Sequence, residues 1–151
     1  MTANKRFIIA VAGVGDEAPH IRTGLDWARA SGATVRFVHV VRMLLVPTGY
    51  AVGDVMPMNI KEADACSDQE ALQTYVERVL GGTPADVPVD YLVLRGDDVE
   101  ELVELSGACQ CMVLGHHHIN GFLHIFTQSV DERLINRAQC PVLIVPEHGG
   151  P

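Results

Sequence analysis

The stretch from Cys109 to Pro146 constrains the fold most. It opens with the apolar run Cys111-Met112-Val113-Leu114, which Gly115 ends. A polar, histidine-rich loop follows, His116-His117-His118-Ile119-Asn120-Gly121, and Ser129-Val130-Asp131-Glu132 has the form of a helix start. Cys140-Pro141-Val142-Leu143-Ile144-Val145-Pro146 is an apolar strand framed by prolines. Strand, loop, helix and strand in that order make a βαβ unit, whose strands are parallel and whose crossover is right-handed. In such sheets ligands sit past the carboxyl ends of the strands, where loops meet helix N-termini. The loop after Gly115 is therefore the first place to seek a function.

The rest of the chain repeats this alternation. Phe7 to Ala12 is continuously apolar, as in a strand covered on both faces. Gly13-Val14-Gly15 turns the chain, Asp16 and Glu17 suit a helix start, and Pro19 suits its first turn. Ile21, Leu25 and Ala28 share one face of that helix, and Gly32 stops it. A second strand is expected over Thr34–Val41. Residues 43–60 read as a long irregular loop, punctuated by Pro47, Gly49, Gly53 and Pro57 yet rich in apolar side chains. A loop of that kind is expected to pack on the body or on a protein partner. Glu62 to Leu80 reads as a helix with the stripe Leu72, Val76 and Val79, and Pro88 to Arg95 as a third strand. Asp97-Asp98 caps a short helix, and together with Glu100-Glu101 is expected to form a solvated acidic face. The order βαβαβαβαβ predicts an α/β fold: an open five-stranded parallel sheet with helices on both faces. One domain spans 1–147, with a loose tail at 148–151.

Charge narrows the function. Eleven basic residues against nineteen acidic give a net charge of −8, with no Lys/Arg cluster for a phosphate backbone, so nucleic acid is not an expected partner. No apolar run has the length of a membrane span, and the first six residues lack the apolar core of a signal peptide. A cytoplasmic location is expected. Cys66, Cys109, Cys111 and Cys140 form no C-x-x-C, and they read as small buried hydrophobes in a reducing compartment, with Cys109 and Cys111 on one face of a strand.

Three motifs invite chemistry. Gly13-Val14-Gly15-Asp16-Glu17-Ala18 matches the G-x-G-x-x-A dinucleotide fingerprint in the right context, after a strand and before a helix. The acidic ribose partner is missing, because the second strand ends His39-Val40-Val41-Arg42. Ser129-x-x-Glu132 is a capping box, which stabilises a helix start and can also leave amides free for an anion. His116, His117 and His118, with His124 nearby, raise a metal site through His116, His118 and His124. Consecutive residues of an extended loop point to alternating sides, however, and no carboxylate stands close enough in sequence to support them. No metal is favoured. Neither a nucleophile elbow nor a Ser-His-acid arrangement is present, so no catalytic residue is assigned.

Over nearly the whole chain, residues 43–60 excepted, these motifs resemble a single-domain universal stress protein. Family members end with a strand, G-x2-G-x9-G-[S/T], a helix, and a strand starting near Cys-Pro-Val. Gly115, Gly121, Ser129-Val130, Glu132-Arg133 and Cys140-Pro141-Val142 fall in that register. Trp27-Ala28 and Val38-His39-Val40-Val41 match the family's opening half. The resemblance implies an adenine nucleotide alpha hydrolase-like, Rossmann-like fold and a homodimer paired along its last strand, here Val142, Leu143, Ile144 and Val145. It implies a nucleotide cleft at Ala12, Gly13, Val41, Gly115, His118, Gln128, Ser129 and Val130. His118 and Gln128 stand where the family has glycines, and Ala12 where it has an aspartate. Side chains at those positions hinder close backbone approach to phosphate. The expected protein is a homodimeric regulatory or interaction module of the stress response with a degenerate nucleotide cleft, and not an enzyme. One alternative is a genuine ATP- or AMP-binding universal stress protein, and another is a metal-binding protein using the His116–His118 loop. No cofactor is favoured; ATP or AMP is the one the resemblance allows.

Overall fold

The computed structural model describes residues 5–47, 55–59, 66–116 and 130–146. Along them run β1 (Arg6–Ala10), α1 (Ala18–Ser31), β2 (Thr34–Pro47), β3 (Val55–Asn59), α2 (Gln69–Leu80), β4 (Val89–Gly96), α3 (Asp98–Ser106), β5 (Cys111–His116), α4 (Val130–Ile135) and β6 (Val142–Pro146). Five strands are parallel, in the spatial order β4-β2-β1-β5-β6. The chain starts at the centre, builds outward through β2 and β4, then returns to the other side of β1 for β5 and β6. The order therefore reverses between β1 and β5, the crevice where α/β sheets hold ligands.

Alternation along the central strands sorts the core into two layers. Phe7, Ile9, Val11 and Val113 pack with Ile21, Leu25 and Ala28 of α1 and Leu72 and Val76 of α2. Ile8, Met112 and Leu114 pack on the opposite face with Leu102 of α3 and Leu134 of α4. The expected parallel sheet with helices on both faces is what the chain forms. Helix α1 lies so close to the sheet that a Cβ added at Gly24 would fall 2.6 Å from Ile9 Cδ1 and 3.0 Å from Ile9 Cγ1.

The structure differs from the sequence reading in five places. Residues 43–60 are not an irregular loop throughout. β2 continues through Pro47, and Met43–Pro47 pairs antiparallel with Val55–Asn59, from Met43↔Asn59 to Pro47↔Val55. A sixth strand thus joins the expected five. The apolar run simply outlasts Val41, while the prolines that suggested a loop are tolerated at a strand end and on an edge strand. Helix α2 begins at Gln69 rather than Glu62, because Asp68 caps it by accepting from the Ala71 amide at 2.8 Å. Gly115 does not end β5; it pairs with Val145 inside the ladder, and the strand runs on to His116. Asp98 is not a solvated charge: its carboxylate, 19% exposed, takes Arg42 Nε at 3.0 Å and Nη2 at 2.8 Å. Cys109 and Cys111 do not share a face, since Cys109 precedes the strand and packs on the α3/α4 side, whereas Cys111 packs on the α1/α2 side.

Candidate functional site

The switch point is framed by the ends of β1 and β5. The pair Ile9↔Val113 carries Gly115 to the level of Val11. Where the chain leaves the ladder past Ala10, three side chains take four of its backbone groups. His20 Nε2–H donates to the Ala10 carbonyl at 2.8 Å. His39 Nδ1–H donates to the Val11 carbonyl at 2.7 Å. These bonds fix the tautomer of each ring, because a carbonyl oxygen can only accept. The amides of Ala12 and Gly13 both point at Glu17, whose Oε1 accepts from Ala12 at 2.7 Å and Oε2 from Gly13 at 2.8 Å. The Tyr75 hydroxyl, arriving from α2, donates to the same Oε2 at 2.6 Å.

Glu17 is 1% exposed and His20 equally buried, with His20 Nε2 3.8 Å from Glu17 Oε1. A carboxylate so far from water is kept by its donors, and backbone amides with a phenol form a short, charge-assisted set. Burial, and then the bond to Glu17, push the Tyr75 phenol well above its ordinary range, so it stays a donor. Gly13 holds φ +80°, and a Cβ there would come within 3.3 Å of the buried Cys66 thiol. Glycine serves both the left-handed turn and the close sulfur contact. The glycine-rich turn thus presents its amides as a fingerprint loop would, but a carboxylate from within the same motif fills them.

The structure brings Ala12, Gly13 and Gly115 together at the crevice. Val41 is fully buried within β2, paired to Arg95 of β4, and does not end its strand as the sequence reading supposed. Val130 is the first residue of α4. His118, Gln128 and Ser129, the capping box at Ser129 and the histidine His124 lie outside the described residues. His116 closes β5, and among the described residues no group of three His, Cys, Asp or Glu side chains is placed to hold a metal ion. Val142 to Val145 lie in β6, which ends the strand order and pairs with β5 alone among the described residues.

Glu17, His20, His39 and Tyr75 were missed as a set. In sequence Glu17 looks like an ordinary acidic residue at a helix start, yet its side chain makes no helix cap. The one available signal was an acidic residue inside a glycine turn that follows an apolar strand.

A parallel sheet with this strand order, and a glycine turn at its reversal, places the chain in the Rossmann-like α/β class. The model of the universal stress protein family matches residues 3–146. The chain belongs to the universal stress protein family. No curated protein sequence matches it. Among solved structures, a universal stress protein family member from Burkholderia pseudomallei is 22% identical, with a TM-score of 0.64 over 97% of this chain and 98% of that one. A universal stress protein in complex with cAMP is 16% identical, with a TM-score of 0.61 over 97% and 100%. The Archaeoglobus fulgidus universal stress protein in complex with dAMP is 17% identical, with a TM-score of 0.57 over 95% and 99%. No helix among the described residues is long and apolar enough to cross a membrane.

Proposed function

We propose that this chain acts in the stress response as a homodimeric regulatory or interaction module with a degenerate nucleotide cleft, and not as an enzyme. One observation carries the proposal: the amides ending β1, at the sheet's switch point, are occupied by the chain's own Glu17 carboxylate. A bound nucleotide would have to displace a buried anion that three donors hold, and its phosphates would approach a negative charge. Ala12 and the substitutions His118 and Gln128 point the same way. β6, which ends the strand order among the described residues, suits pairing with its counterpart in a second copy.

The test is thermal unfolding with millimolar ATP, AMP or cAMP. A ligand present at a hundred times its dissociation constant stabilises by about 2.7 kcal/mol. No shift with any of the three is expected. A second reading, a true adenine-nucleotide binder, is favoured by the relatives crystallised with cAMP and dAMP. A clear upward shift with ATP or AMP, or nucleotide released from purified protein on denaturation, would replace the first reading with the second.

A further inference from the structure

The loop before β5 and the loop before β6 bring two thiols together at the end of the sheet away from the switch point. Cys109 Sγ and Cys140 Sγ are 3.3 Å apart, although 31 residues separate them in sequence. Both are reduced and only partly buried, so small oxidants reach them. The backbone on each side is pinned. Gln110 N–H donates to the Arg6 carbonyl at 2.8 Å, and Met112 N–H to the Pro141 carbonyl at 3.0 Å. Gln139 N–H donates to Ser106 Oγ at 2.9 Å. Arg137 at the end of α4 holds Glu100 of α3 with two guanidinium hydrogen bonds. The sulfurs are therefore held in contact by anchored loops, and side-chain rotation must close only the remaining gap to a bond of about 2.05 Å. Cys111, nearest in sequence, faces the other core layer, and Cys66 is fully buried beside Gly13.

We propose that Cys109 and Cys140 form a peroxide-responsive pair that closes to an intramolecular disulfide. Cys140 Sγ attacks one oxygen of hydrogen peroxide; the O–O bond breaks, water leaves, and Cys140 becomes a sulfenic acid. Cys109 Sγ then attacks that sulfur; the S–O bond breaks, a second water leaves with the Cys109 proton, and the S–S bond forms. Two thiols and one peroxide give one disulfide and two waters, the sulfurs losing the two electrons that the peroxide gains. Burial, and then the bond to Cys140, push the Cys109 thiol up, which makes it a poor first nucleophile toward peroxide. The product would tie the end of α3 to the segment entering β6.

The test treats the reduced full-length chain with a small excess of hydrogen peroxide, then denatures and alkylates it. Wild type and Cys111→Ser are expected to lose 2 Da and two alkylatable thiols, reversibly with dithiothreitol. In Cys111→Ser the tryptic peptides 96–133 and 138–151 carry one cysteine each, so a cross-link between them identifies the pair without a variant at either partner. Cys109→Ser should gain oxygen at Cys140, Cys140→Ser should gain none, and neither should form the cross-link. Wild type that keeps all its alkylatable thiols, or Cys111→Ser that yields no 96–133 to 138–151 link, overturns the proposal.

Discussion

Glu17 carries the largest single-residue consequence. Replacing it with alanine strips partners from the Ala12 and Gly13 amides and the Tyr75 phenol. An unsatisfied buried group costs about 1–3 kcal/mol. Because Ala12 and Gly13 are only half-buried and water can recover part of that loss, Glu17→Ala should cost about 2–4 kcal/mol in urea unfolding. A change below 0.5 kcal/mol would mean the carboxylate does not hold this turn. Acid stability rests on different residues. Arg36 donates to both oxygens of Asp90, at 2.9 and 3.0 Å, and holds that carboxyl below its ordinary value, by hydrogen bonding first and by its charge after. The ionised form therefore favours the folded chain. Its contribution is complete above about pH 4 and is lost as pH falls through the lowered folded value. The pair is partly exposed, so its worth is about 0.2–1 kcal/mol. Asp90→Asn should flatten the acid limb of a melting-temperature profile by that small amount and leave the slope between pH 6 and 8 unchanged. Neither residue announces its role in sequence. Apolar periodicity shows where a side chain is buried, whereas Glu17, His20 and His39 are buried for the backbone groups they complete.

Elements were more legible than residues. The strands show as apolar runs, and α1 and α2 as stripes with glycines at their ends, because burial and capping leave periodic and local marks. Element limits fared worse where two signals competed. Asp68 starts α2 by capping chemistry, although helix-favouring residues precede it. Pro57 looks like a strand breaker, but β3 pairs only with β2 among the described residues, and an edge strand can accept it. Gly24 lies inside a helix, where glycine costs about 1 kcal/mol relative to alanine, so packing must explain it. The contact with Ile9 supplies the reason. Gly24→Val would add a branched side chain against a sheet with no room for it. We expect a loss of about 2–3 kcal/mol in equilibrium unfolding, mainly from overpacking, with helical circular dichroism retained. A neutral result would show that α1 can lift off the sheet freely.

At the scale of the whole molecule, the family and the parallel sheet could be read from the terminal βαβ unit and the register of its glycines. The filled cleft could not, since Glu17 looks like an ordinary acidic residue at a helix start and its partner Tyr75 arrives from a distant helix. Assembly follows from the strand order. If β6 pairs across a two-fold axis, Ile144→Asp sets a charge in the middle of that edge. Light scattering should then move from twice the 16.4 kDa chain mass to the single chain. A dimer of unchanged mass would put the interface elsewhere.

The four capped backbone groups beyond β1 have a consequence for solvent access over time. Amide protons past a strand's last ladder bond ordinarily exchange quickly, because fraying exposes them. Here Ala12 and Gly13 donate to a carboxylate enclosed by α1 and α2, so neither can open without disturbing those helices. Hydrogen–deuterium exchange should show protection running at least two residues beyond the end of β1, and Glu17→Ala should pull that boundary back to Val11, whose amide donates to the Val38 carbonyl.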